Sequence, residues 1–208
     1  MVYAIFIAAI TAYLLGNLNG AVCMSALKND DVRSHGSGNA GLTNYIRNYG
    51  AASALYVVAI DMGKAFLACQ AGGLMLAHFD MYVEGKALGG LFVILGHIFP
   101  ALLGFRGGKG ILSGVTVALM LDWRLGLLVF SIFLVAYLLT KYVSLGSVLS
   151  AGSFGFFFAW VHRDGPLFPI LVSFFLSGMI VWMHRSNIKR LLKGTEQKTF
   201  LSKKGNIK

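Results

Sequence analysis

Long uncharged stretches recur along the chain, separated by short polar breaks. They run from Val2 to Leu27, Tyr49 to Ala77, Ala87 to Phe105, Gly110 to Leu121, Leu125 to Thr140, Tyr142 to Val161 and Gly165 to Met183. Only the second holds charged residues, Asp61 and Lys64. A run of about 20 apolar residues is what a helix needs to cross a bilayer, so the stretches predict seven transmembrane helices. The twelve residues of the fourth are closer in length to a re-entrant segment. Composition supports a membrane setting: 57% of the 208 residues are hydrophobic and 12% are charged, about half the charge of a soluble domain. The pattern predicts an all-α integral membrane protein, one polytopic domain over residues 1–208 with a basic tail from His184 to Lys208. A disordered chain, a disulfide scaffold and a coiled coil are excluded. Val2–Leu27 lacks the positive flank of a signal peptide and is read as the first span; no lipidation motif is visible.

The positive-inside rule tests the seven-helix reading. With every stretch crossing, one side holds Lys28, Arg33, Arg47, Arg106, Lys109, Lys141 and the eight bases of the tail. The other holds Lys86, Arg124 and Arg163, with Asp80, Glu84, Asp122 and Asp164. Fourteen bases against three put the N-terminus outside and the C-terminus in the cytoplasm. If the fourth stretch did not cross, the bias would weaken. The net charge of +10 would point to nucleic acid in a soluble protein. Here the bases lie between apolar runs, so membrane lipid is the expected partner and nucleic acid is not. Asp61 and Lys64 are three residues apart on one helix face, which fits a structural ion pair or a part in a site. Cys23 and Cys69 have no ligand partners nearby in sequence and predict neither a disulfide framework nor a zinc site.

Four polar clusters fall on the predicted cytoplasmic side. The first is Ser34 to Asn44, with Ser37, Asn39, Thr43 and Asn44 as hydroxyl and amide groups and Arg47 one helical turn beyond. The second is Gly96-His-Ile-Phe-Pro100 followed by Phe105-Arg-Gly-Gly-Lys-Gly110. Glycines allow backbone N–H groups to approach an anion and Lys109 adds charge, so this segment reads as a phosphate cradle ahead of a helix. It is not a Walker A loop, because Lys109 is followed by Gly110. The third is Tyr142 to Ser147, and the fourth His184-Arg-Ser-Asn-Ile-Lys-Arg190, continuing to Glu196. Each has a plainer reading: turn chemistry for the first, a positive-inside loop for the second, a hydrogen-bonded core histidine for His97, and a basic stripe on anionic headgroups for the tail. There is no histidine with Asp five residues on, no Gly-x-Ser-x-Gly elbow and no His-Glu-x-x-His. An enzyme so poor in carboxylates would take a substrate that arrives activated.

In order and spacing the clusters resemble the bacterial acyl-phosphate:glycerol-3-phosphate acyltransferases, over nearly the whole chain. Ser37-Gly-Asn-Ala-Gly-Leu-Thr-Asn44 with Arg47 is similar to that family's first motif, and the Gly96–Gly110 region to its second. Val143–Ser147 and His184–Arg190 with Glu196 match two more, and Asp61 and Lys64 fit its second helix. Three positions depart from the pattern: Ser186 where Glu is frequent, Ile111-Leu-Ser113 where Val-Ala-Thr is common, and Gly63 where a larger residue is usual.

The resemblance implies seven helices, an outside N-terminus and a site on the cytoplasmic face of the bacterial cell membrane. It implies transfer of an acyl group from a fatty acyl phosphate to the 1-hydroxyl of glycerol 3-phosphate, giving lysophosphatidic acid and phosphate. The expected catalytic residues are Ser37, Arg47, Lys109, His184 and Asn187. Substrate binding is expected of Asn39, Thr43, Asn44, His97, Gly107, Gly108, Gly110, Ser144 and Ser147. No cofactor and no metal is expected, and a monomer is compatible with the pattern. His184, His97 and a substrate phosphate are competing proton acceptors, and an acyl-enzyme on Ser37 ranks below them. A small anion transporter and a lipid-binding scaffold are the alternatives from other classes; the first lacks an inverted repeat, and the second leaves the two loops unexplained.

Overall fold

A computed structural model describes residues 1–199; the end of the tail, with Lys203, Lys204 and Lys208, lies outside the described residues. Among the described residues there are ten α-helices, two single 3-10 turns and no strand. The helices are α1 (Val2–Asn17), α2 (Gly20–Ala26), α3 (Leu42–Tyr49), α4 (Ala54–Ala77), α5 (Tyr82–Ile98), α6 (Ile111–Leu121), α7 (Trp123–Thr140), α8 (Val143–Val161), α9 (Leu167–Met183) and α10 (Arg185–Leu192). Four are long and apolar enough to cross a membrane: α4, α5 with the turn that follows it, α7 and α8. The number rises to six if α1–α2, bent by 44°, and α9–α10, bent by 56°, each count as one span. The fourth uncharged stretch is α6, with 11 residues.

Three boundaries differ from the hydropathy pattern. Val2–Leu27 is broken at Leu18–Asn19, because the Asn19 side chain accepts from the Val22 N–H (3.0 Å) and starts a new helix there. Tyr49 belongs to α3, not to the second long helix; Gly50, at φ 81°, turns the chain between them. The third helix begins at Tyr82 rather than Ala87, taking Glu84 and Lys86 into its first turns. Lys86 is accommodated there because its ammonium donates to the Met120 carbonyl (2.7 Å) and lies 5.0 Å from the centre of the Tyr82 ring.

Helices α4 and α5 approach most closely at glycines: a methyl on Gly85 would meet the Gly72 carbonyl, and one on Gly89 the Ala68 carbonyl. Small residues at such crossings let the backbones pack directly, which is what favours helix association where lipid removes the hydrophobic drive. The interior is completed by Val93, Ile94, Val117, Phe158 and Leu176. Short α6 reaches the end of the bundle away from the first loop. Its C-cap Asp122 bonds His162 at the end of α8 (3.0 Å), and Ser113 near its start donates to the Asp61 carbonyl in α4 (3.0 Å).

The break in the first long stretch leaves carbonyls of α1 and N–H groups of α2 without helical partners. Buried groups of α4 supply them. Lys64 Nζ donates to the Leu18 carbonyl and the Gly16 carbonyl, and Asp61 Oδ1 accepts from the Gly20 N–H (3.1 Å). The two side chains pair with each other at 2.8 Å. A cation at a helix C-terminus and an anion at an N-terminus also complement the two helix dipoles. The charges predicted as an intramembrane pair therefore hold a broken helix together. Removing one partner leaves the other buried and uncompensated, at a cost of about 3–5 kcal/mol. Lys64→Met is expected to lower the unfolding temperature in detergent strongly, and Asp61→Asn combined with it to recover part of the loss. Unchanged thermal unfolding of the single variant would exclude this role.

Candidate active site

The segment between α2 and α3 is folded around Asn44, which is 2% exposed. Its amide Nδ2 donates to the carbonyls of Val32, His35 and Asn39 (3.0–3.1 Å), and its Oδ1 accepts from the Ser37 N–H (3.0 Å). Asn19, at the break, donates to the Ala40 carbonyl (3.0 Å). Arg33 pairs with Asp31 (2.8 Å) and donates to the Leu103 carbonyl (2.9 Å), tying this loop to the one before α6. Short polar side chains thus replace secondary structure and leave the Ser37 hydroxyl without a hydrogen-bond partner among the described residues. Arg47 projects from α3 and donates to Thr199 Oγ1 (2.7 Å).

The second segment departs from its expected form. The N–H of Gly107 donates to the Ile98 carbonyl (3.3 Å) and that of Gly108 to the His97 carbonyl (3.1 Å). These glycines cap α5 instead of offering their N–H groups to an anion. They still require the absence of a side chain, since a Cβ on Gly108 would meet the His97 ring and the Ala40 carbonyl. Gly110, at φ 82°, reverses the chain into α6 and brings Lys109 inward. Lys109 Nζ donates to Asn187 Oδ1. Burial pushes the pKa of Lys109 down to about 8, the neighbouring charges of Arg190, Arg47 and Arg185 act the same way, and Glu196 opposes them.

The third and fourth segments meet through Glu196. Its Oε1 accepts from Ser144 Oγ (2.7 Å) and Asn187 Nδ2 (2.7 Å), and its Oε2 from Arg190 Nε (2.6 Å). Burial raises its pKa, but the bonds from Ser144, Asn187 and Arg190 outweigh that and hold the carboxyl below its ordinary value. His184 sits at the bend between α9 and α10, with Nδ1 2.8 Å from the Ile180 carbonyl. A carbonyl only accepts, so Nδ1 carries the proton and Nε2 is an acceptor.

These segments enclose a cavity of about 540 Å³. Its walls include Ser37, Asn39, Thr43, Asn44, Arg47, His97, Lys109, Gly110, Ser144, Ser147, His184 and Asn187, all expected from the sequence. Gly107 and Gly108 are not among its lining residues. Asn44 serves mainly to hold the first loop, and Ser147 Oγ is engaged with the Val143 carbonyl (2.9 Å). The sequence reading left Arg190, Gln197 and Glu196 out of the site, although all three line it. Arg190 and Glu196 belong to the fourth motif, whose resemblance was the signal for them, and Glu196 is also the one acid in a basic tail. The far wall is apolar, formed by Leu112, Val115 and Leu119 of α6 and Leu127, Phe130 and Phe133 of α7. Leu127 and Phe130 are 50% and 44% exposed, so the cleft between α6 and α7 is open and not packed shut at this end.

A helical bundle with spans of membrane length, whose cavity is cationic at one end and apolar at the other, has the form of a membrane-embedded enzyme for anionic amphiphiles. The family model described as glycerol-3-phosphate acyltransferase matches residues 6–194; the chain belongs to this family and is an acyltransferase. A glycerol-3-phosphate acyltransferase of Thermoanaerobacter sp. (strain X514) is 39% identical over 207 residues, covering 99% of this chain and 100% of that protein. One from Coxiella burnetii (strain RSA 493 / Nine Mile phase I) is 38% identical over 201 residues, covering 95% and 100%. The crystal structure of PlsY (YgiH), an integral membrane glycerol 3-phosphate acyltransferase in its glycerol 3-phosphate form, superposes with a TM-score of 0.84 at 31% identity. It covers 94% of this chain and 96% of that one. The lysophosphatidic acid form of the same protein gives 0.82 at 30% identity.

Asn44→Ala removes the side chain that ties three loop carbonyls together and leaves the Ser37 N–H without its acceptor, the latter alone worth about 1–3 kcal/mol. Limited proteolysis is expected to cut the variant between residues 34 and 43 much faster than the parent chain. Equal cutting rates would remove Asn44 from this role.

Proposed function

We propose that this chain transfers a fatty acyl group from acyl phosphate to the 1-hydroxyl of sn-glycerol 3-phosphate, releasing lysophosphatidic acid and inorganic phosphate. The observation that carries the reading is the two-ended cavity: Arg47, Lys109 and Arg190 at one end, an apolar cleft between α6 and α7 at the other. The first end suits phosphoryl groups, the second an acyl chain continuous with lipid. The reading includes seven crossings, with α6 as the fourth, the N-terminus outside, and the cavity and C-terminus at the cytoplasmic face of the cell membrane. The chain acts as one polytopic domain.

In the reaction the hydroxyl oxygen bonds to the acyl carbon and the bond from that carbon to the phosphate oxygen breaks. Phosphate is a good leaving group, so positioning and charge stabilisation do most of the work. Lys109 and Arg47 hold phosphoryl charge; Ser37 and Asn187 orient the substrates, with Asn187 set by Glu196. Asn39, Thr43 and Ser144 complete the polar wall. The hydroxyl proton passes to a substrate phosphate, whose second pKa is near 6, or to Nε2 of His184. Neither a metal nor another cofactor enters the scheme, and activity is expected to persist in a chelator.

The test is purified protein in lipid with palmitoyl phosphate and labelled glycerol 3-phosphate, without CoA or carrier protein, reading lysophosphatidic acid and phosphate. Product is expected, and Lys109→Ala should reduce it at least about 100-fold, as loss of a buried charged donor implies. No product from folded protein would overturn the assignment. The pH dependence is a second test. The ammonium form of Lys109 is the one that binds phosphate, so kcat/KM for glycerol 3-phosphate should fall as pH rises through about 8. In Lys109→Arg, whose guanidinium stays charged, that limb should move upward; an unmoved limb would assign it to another group.

A further inference from the structure

The two histidines of the cavity have opposite hydrogen-bonding roles. His97 is 4% exposed, and its Nδ1 lies 2.7 Å from Lys64 Nζ. The ammonium has only protons to offer and no lone pair; its other contacts, Asp61 Oδ1 (2.8 Å), the Leu18 carbonyl and, longest, the Gly16 carbonyl (3.3 Å), are all acceptors. A proton on His97 Nδ1 would point at the ammonium, and its nearest carboxylate oxygen, Asp61 Oδ1, is 3.6 Å away, beyond hydrogen-bond range. Nδ1 is therefore an acceptor, and the ring proton sits on Nε2.

Among the described residues Nε2 has no hydrogen-bond partner, while no buried side-chain nitrogen or oxygen is both sealed from solvent and unpartnered. His97 lines the cavity, and Nε2 lies against Gly108, the residue before Lys109. A larger residue at 108 would occupy the space this nitrogen faces.

We infer that His97 donates a hydrogen bond from Nε2 to a phosphoryl oxygen of the substrate held beside Lys109, and that Lys64 and Asp61 are positioning residues that fix its tautomer. The inference rests on the reaction proposed above, in that it takes the anion to be a phosphoryl group. His97 is then a binding donor and not a proton acceptor. That leaves His184, whose Nε2 is the acceptor, and the substrate phosphate to take the hydroxyl proton. The charged groups that face His97 are Asp61 and Lys64 from α4, and Lys109 lines the same cavity.

Steady-state kinetics with palmitoyl phosphate and glycerol 3-phosphate on His97→Gln and His97→Ala test this. A glutamine amide reaches the place of Nε2 and donates there, but it cannot act as a base. His97→Gln is expected to keep kcat/KM within about tenfold of the parent chain and to leave the shape of its pH profile unchanged, whereas His97→Ala loses about 100-fold. A glutamine variant as inactive as the alanine one, or one in which activity no longer falls at low pH where that of the parent chain does, overturns the donor role. Nitrogen NMR of histidine-labelled protein in lipid nanodiscs decides the tautomer without any activity readout. One histidine assigned by its absence in His97→Gln should carry its proton on Nε2, and Lys64→Met should abolish that preference. A proton on Nδ1 in the parent chain overturns the inference. A parent chain inactive with both substrates would instead defeat the proposed reaction and leave the tautomer result standing.

Discussion

The rest of the molecule is arranged around one buried ion pair. Asp61 and Lys64 lie inside the bilayer-length helix α4, where an unpaired charge would be costly, and they satisfy the two helix ends created when the first stretch breaks. The same pair reaches His97 on α5, and the Asp61 backbone carbonyl takes a bond from Ser113 on α6. Five helices are thereby registered at one point. Asn19, in the same break, extends that register to the first polar loop through Ala40. Two loops far apart in sequence are thus set from a common anchor in the apolar interior.

Around the cavity, the balance of charge is deliberately uneven. With Asp61 paired to Lys64, Arg47, Lys109 and Arg190 are left with one carboxylate, Glu196, and that carboxylate also receives Ser144 and Asn187. The lowered pKa of Lys109 expresses this surplus: burial and like charges disfavour its proton until an anion arrives. A dianionic group would neutralise the excess, so binding affinity and the protonation of Lys109 are linked. The neutral groups do a different job. Asn44 and the capping N–H groups of Gly107 and Gly108 hold backbone in place, so that the charged side chains need little reorganisation.

Hydropathy made the long helices legible, because an uncharged run of bilayer length admits few other structures. It could not show the break at Leu18–Asn19: the run stays uncharged, and only Asn17 and Asn19 flanked by glycines marked it. It misplaced the start of α5, because a lysine inside a helix reads as a loop residue until its partner, the Met120 carbonyl, is known. The site was legible as residue types at motif spacing, but their division of labour was not. Gly107 and Gly108 looked like anion donors, yet their N–H groups turn back onto α5. Glu196 stood in a motif without a role, since nothing in sequence reveals that a carboxylate in the tail returns to Ser144 at the start of α8. Both depend on contacts between distant segments, which local pattern does not encode.

The walls of the cavity begin at Ser37 and end at Gln197, near the end of the described chain. Its polar wall is thus assembled from segments at opposite ends of the described chain, while the long helices between them supply the apolar one. A chain cut after Met183 would keep every long helix and lose Asn187, Arg190 and Glu196 from the wall, so insertion into a bilayer and completion of the pocket are separable properties of the fold.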